Sequence, residues 1–91
     1  MDRVLVVDDL SEVREIHKSL LNNMKLRVDL ANNGNHAITL VQQSIKENDP
    51  YDFILMDWSM PGLNGLDATK QIKQLDTFIK IVLPQPSIDN K

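Results

Sequence analysis

Two short aliphatic runs in this chain each end abruptly in carboxylates. Arg3 to Val7 stops at Asp8 and Asp9, and Tyr51 to Met56 stops at Asp57. Near-continuous runs of β-branched and aliphatic residues suit strands buried on both faces. Leu26 to Ala31 instead alternates Leu26, Val28 and Leu30 with Arg27 and Asp29, the period of a strand with one solvated face, which predicts an edge position. Ile79 to Leu83 predicts a fourth strand, halted by Pro84-Gln85-Pro86. Between these runs the period changes. After Ser11, the expected N-cap, apolar residues fall at Val13, Ile16, Leu20, Leu21 and Met24, an amphipathic helix that should pack on the sheet. Asn33-Gly34 has the composition of a hairpin turn, but Ala37, Ile38, Val41 and Ile45 follow at helical spacing, so the second helix starts there and closes at Asp49-Pro50. Pro61, Gly62 and Gly65 mark a loop, and Ala68, Ile72 and Leu75 predict a third helix.

Strand and helix thus alternate three times before a last strand, the order of an α/β fold with parallel strands joined by right-handed crossovers. The chain has 91 residues, 42% hydrophobic and 25% charged, which suits one domain with one modest core. It has no cysteine, so neither disulfides nor thiolate metal sites enter the reading. A net charge of -3 with scattered Lys and Arg argues against direct nucleic-acid binding. Apolar stretches such as Val4 to Val7 run four residues, far short of the ~20 needed to span a bilayer. The N-terminus shows no export signal, and the cytoplasm is the expected compartment.

In an open parallel sheet, ligands bind outside the carboxyl ends of the strands, so Asp8, Asp9 and Asp57 are expected to converge there. Carboxylates ~4 Å apart repel by about 4 kcal/mol each pair at an effective dielectric of 20, and a hard divalent cation offsets this. All-oxygen ligation favours magnesium or manganese over zinc.

The segments Val4-Leu-Val-Val-Asp-Asp9, Ala31-Asn-Asn-Gly34 with Ala37, and Leu55-Met-Asp57-Trp-Ser-Met-Pro61 with Gly65 resemble two-component response-regulator receiver domains, in order, over residues 3 to 83. The resemblance implies a flavodoxin-like open parallel sheet with flanking helices. It implies that Asp57 is the phosphoacceptor, that Asp9 and the backbone carbonyl of Ser59 bind the metal, and that Asp8 reaches it through water. A phosphohistidine on a histidine kinase or phosphotransfer protein would be the donor, and an output protein or domain would read the product. Such a protein is a signalling phosphoacceptor rather than an enzyme. The carboxylate attacks an in-line phosphorus while the metal, Mg2+ or Mn2+, neutralises the transferring oxygens. Gly65 fits a bend that a side chain would obstruct, and Pro61 stiffens the loop. Gly65-Leu-Asp-Ala-Thr-Lys-Gln-Ile72 looks most like receivers attached to hybrid kinases.

Residues 1–91 depart from the family at their end. Receivers carry Thr or Ser after the fourth strand and Lys after a fifth; here the hydroxyl position falls on Gln85, with Ser87 available if the segment shifts, and Lys91 does not correspond to the Lys. The reading is a C-terminally truncated receiver lacking the fifth strand and last two helices. One sheet face would then be thinly covered and the fourth strand would be an open edge, inviting a homodimer or domain swap. The rival is a receiver-like interaction module that binds metal or dimerises without productive switching. An aspartyl-nucleophile phosphatase fits poorly because Ser59 stands where a second acid is wanted, and a flavin protein fits poorly for lack of a Ser/Thr/Gly-rich loop after the first strand. The remaining marked residues read as structural. His17 and His36 are expected at the surface, Trp58 partly exposed, Met24, Met56 and Met60 in packing, and Lys70 and Lys73 on a solvated face.

Overall fold

The computed structural model describes residues 2–58 and 60–83. Ser59, Gln85, Ser87 and Lys91, and with them the metal-carbonyl, hydroxyl and Lys expectations, lie outside the described residues. The element order is β1 (Arg3–Val7), α1 (Ser11–Asn23), β2 (Arg27–Ala31), α2 (Gly34–Lys46), β3 (Phe53–Met56), α3 (Gly65–Leu75) and β4 (Lys80–Val82). All pairings are parallel, in the order β2-β1-β3-β4. This is the expected flavodoxin-like open parallel sheet with flanking helices, with four strands and three helices among the described residues. β2 is an edge, as its alternation predicts, and among the described residues β4 is the other.

Residues alternate across the sheet, and the register puts Leu5, Val7, Ala31, Ile54, Met56 and Ile81 on one face. That face meets Ala37 and Val41 of α2 and Ala68 and Ile72 of α3 in a single core. β1 is buried on both faces, with Val4, Leu5, Val6 and Val7 all at most 1% exposed, which explains its unbroken aliphatic run.

The opposite face carries α1, which packs on β1 and β2 and has no buried residue. The helix exists where the spacing predicts it, but its packing differs. Val13, His17 and Leu21 face the sheet and are half-buried, whereas Ile16, Leu20 and Met24 stand 59%, 57% and 68% exposed. Met24 is therefore not a packing residue. Phe53 and Leu55 on the same face are half-buried and Val82 is exposed. The helix also begins one residue early. Its N-cap is Leu10, without a side-chain cap, and Ser11 is the first helical residue. α2 and α3 are capped conventionally by Asn33, which accepts from the His36 N–H, and Asn64, which accepts from the Asp67 N–H.

At the amino ends of the strands, away from the acids, a polar cluster closes the fold. The Arg3 guanidinium donates to Asp29 from Nε and NH2 and to the Asp49 carbonyl from NH1, and it lies 4.6 Å from the centroid of the Tyr51 ring. The Tyr51 hydroxyl donates to Asp29 at 2.7 Å, and burial pushes its pKa upward. Arg27 grips both oxygens of Asp49 at 2.8 and 3.0 Å and holds that carboxyl below its ordinary range. Lys73, expected to be merely solvated, donates to the Ile79 carbonyl and tethers the α3–β4 turn.

Candidate functional site

The chain reverses its direction of travel across the sheet at β1, since β2 is laid to one side and β3 to the other. Ligands in such sheets bind at the carboxyl ends beside that reversal. Val7 and Met56, the last residues of β1 and β3, are register partners, so Asp8 and Asp57 leave the sheet side by side. The backbone secures both. Asp57 N donates to the Val7 carbonyl at 2.8 Å, and Asp8 N donates to the Ala31 carbonyl at 3.1 Å. The Arg14 guanidinium reaches back from α1 to the Asp8 carbonyl at 2.7 Å. One Asp8 carboxylate oxygen accepts from the Leu10 N–H at 3.0 Å, which fixes its rotamer.

As the sequence predicts, Asp8, Asp9 and Asp57 come together, with one carboxylate oxygen from each within 4.8 Å of the others. Asp8 and Asp57 are half-buried and Asp9 is exposed. The donor set is all oxygen and strongly negative, which fits a hard divalent cation that retains water. These residues therefore have the chemistry to hold Mg2+ or Mn2+.

The loop after Asp57 is held from inside. Met60 is 6% exposed in the core, while Pro61 is exposed. Gly65 is buried, and its N–H meets the Trp58 carbonyl at 3.3 Å. A Cβ on Gly65 would stand 2.1 Å from the Asp57 carbonyl oxygen, so a side chain at that position and the present course of the acceptor backbone are incompatible. Trp58 is half-buried, as expected.

His17, expected at the surface, is half-buried against the sheet. It lines a cavity of about 220 Å³ with Val6, Asp8, Leu55, Met56 and Asp57. The signal was present in its spacing, four residues after Val13 and four before Leu21, on the sheet-facing stripe. His36 is exposed, as expected.

Residues 4–85 match the response regulator receiver domain family, and the chain belongs to it. It is 38% identical over 77 residues to two-component response regulator 24 of Arabidopsis thaliana, covering 85% of this chain and 52% of that protein. Among solved structures it resembles the receiver domain of the Arabidopsis thaliana histidine kinase CKI1 complexed with Mg2+, with a TM-score of 0.81 and 28% identity, covering 96% of this chain and 71% of that one. It also resembles the response regulator TrrA of Thermotoga maritima in complex with Mg2+ and BeF, with a TM-score of 0.77 and 34% identity, covering 91% and 68%. The chain spans about half the length of the first curated relatives it matches. As a receiver domain it is a module of two-component phosphorelay signalling. Among the described residues no helix is long and apolar enough to cross a membrane.

Proposed function

We propose that Asp57 accepts a phosphoryl group from a phosphohistidine on a histidine kinase or phosphotransfer protein, with Mg2+ or Mn2+ held by Asp8, Asp9 and Asp57. The single observation that carries this reading is the convergence of the three carboxylates within 4.8 Å at the carboxyl ends of β1 and β3. An Asp57 carboxylate oxygen attacks the phosphorus as the P–N bond of the phosphoimidazole breaks. The imidazole leaves and an acyl phosphate forms. When bound, the cation neutralises charge on the transferring oxygens. Asp8 is held in place by the Leu10 N–H, and Arg14 steadies its backbone. The Ser59 carbonyl is the further ligand proposed from the family resemblance, and Pro61 and Gly65 shape the loop that presents it. The acyl phosphate carries about -1.5 to -2 charge where the carboxylate carried about -1, and this added charge and bulk are what a downstream output protein or domain would read. The similarity to a kinase-borne receiver supports a phosphorelay context. The site is a phosphoacceptor, with any self-dephosphorylation incidental.

The test is incubation with acetyl phosphate and magnesium followed by intact mass. We expect one phosphoryl adduct, lost in Asp57→Ala. No adduct, or one that survives the substitution, removes Asp57 from the role.

A second reading, an interaction module that pairs with another copy through the thinly covered face, is favoured by the exposure of Leu20, Met24 and Val82. It predicts a dimer by light scattering that Leu20→Glu dissociates. A monodisperse monomer contradicts it.

A further inference from the structure

We propose that Gly34, on a helix to which the acceptor does not belong, is a positioning residue for phosphotransfer, because the first turn of α2 is the backstop for the loop that follows Asp57. The proposal rests on the reading of Asp57 as phosphoacceptor. Gly34 is the buried first residue of α2. A Cβ built there lies 2.6 Å from the Leu63 carbonyl oxygen and 3.2 Å from the Cβ atoms of both Leu63 and Ala68. The obstructing atom is backbone, which cannot swing aside as the tip of a side chain can. Van der Waals contact is restored when the helix and the loop part by several tenths of an ångström.

The helix is the less able of the two to move. Asn33 caps it through the His36 N–H at 2.8 Å, and Ala37 and Val41 are at most 1% exposed in the core. The loop, by contrast, is anchored at its far end, where the Gly65 N–H donates to the Trp58 carbonyl at 3.3 Å. A push on Leu63 is therefore delivered to the residues between two fixed points, the stretch that begins at the acceptor. Glycine at 34 allows the loop to sit against α2 at backbone distance, and that contact sets where the acceptor side of the loop comes to rest. A misplacement near 1 Å costs on the order of a hundredfold in rate, so if about half an ångström of the parting reaches the acceptor the cost is about tenfold.

The experiment is the rate of phosphorylation by acetyl phosphate in excess magnesium for the parent, Gly34→Ala and Val41→Ala. Val41 is buried on the same helix two turns from the loop, and its truncation reports the effect of lost stability alone. We expect Gly34→Ala to lower the maximal rate about tenfold with KM for acetyl phosphate little changed, and Val41→Ala to leave both near the parent's. Equal slowing in the two variants, or none in Gly34→Ala, overturns the proposal. Should Gly34→Ala fail to fold, the amide resonances of the parent decide. On phosphorylation the Gly34 and Leu63 amides are expected to move together with those of Asp57 and Gly65. A Gly34 amide that stays still while Asp57 and Gly65 move overturns the positioning role. Stillness of Asp57 itself overturns the acceptor reading, and the positioning role with it.

Discussion

Replacing Asp57 by Asn removes one charge from the acidic cluster and leaves its shape almost intact. Asp8 and Asp57 are both half-buried, with ligating oxygens no more than 4.8 Å apart. Coulomb's law at that separation and an effective dielectric of about 20 gives about 3.5 kcal/mol of repulsion. Solvent screening lowers this, because exposed Asp9 opens the cluster to water and the carboxylates can turn apart. Roughly 1 kcal/mol should survive screening. Without metal, Asp57→Asn should therefore be the more stable protein, melting roughly 4–8 °C above the parent for a domain of this size. Magnesium should reverse the order. Ligand at a hundredfold its Kd stabilises the folded parent by about 2.7 kcal/mol, whereas the weakened site of the variant gains little. The assay is thermal unfolding by circular dichroism in chelator and in excess magnesium. Should Asp57→Asn melt at or below the parent in chelator, the acids do not repel as their spacing requires, and the electrostatic argument for the metal fails.

Other substitutions test the packing and the polar cluster. Gly65→Ala should lower stability by at least the ~1–3 kcal/mol typical of overpacking, since its Cβ would meet the Asp57 carbonyl at 2.1 Å; an unchanged urea midpoint would show that the loop yields freely. Ile72→Ala, in the α2–α3 core, should cost about 2–5 kcal/mol, and Leu20→Ala on α1 within about 0.5 kcal/mol. Comparable losses in urea titrations would mean that α1 is covered in solution. For Asp49 the folded pKa lies below 3.8 through the hydrogen bond from Arg27, so its contribution is present above that value and lost as pH falls through the folded pKa. Asp49→Asn should thus flatten the acid limb of the stability curve below about pH 4 and leave its shape at neutral pH unchanged; an unaltered acid limb would contradict the pairing.

Much of this was legible because the signals were local. Four aliphatic residues in a row mark β1 as a central strand, since an unbroken apolar run needs cover on both faces. Asp8 and Asp57 could be brought together from sequence because each terminates such a strand, and parallel pairing aligns strand ends. Where the reading failed, the missing information was non-local. The spacing of α1 shows that it has an apolar stripe, but which part of that stripe meets a neighbour depends on what else lies on the face, so the spacing predicts packing for Ile16, Leu20 and Met24 that they do not make. A helix residue away from the strand ends in sequence is expected at the surface, yet the place of His17 between Val13 and Leu21 puts it on the inner stripe. The Arg3, Asp29 and Tyr51 cluster draws on the start of β1, the middle of β2 and the residues just before β3, distant in sequence, and no spacing rule joins them. The spacing after Gly34 predicts the helix start that is found there, but the constraint on that glycine is the carbonyl of Leu63, which sequence does not place.

The most direct measurement is a magnesium titration followed through the backbone amides of the folded chain. Shifts at residues 8, 9 and 57 that saturate along one binding curve are the predicted result. Resonances at those three positions that stay fixed while the protein remains folded would contradict the account.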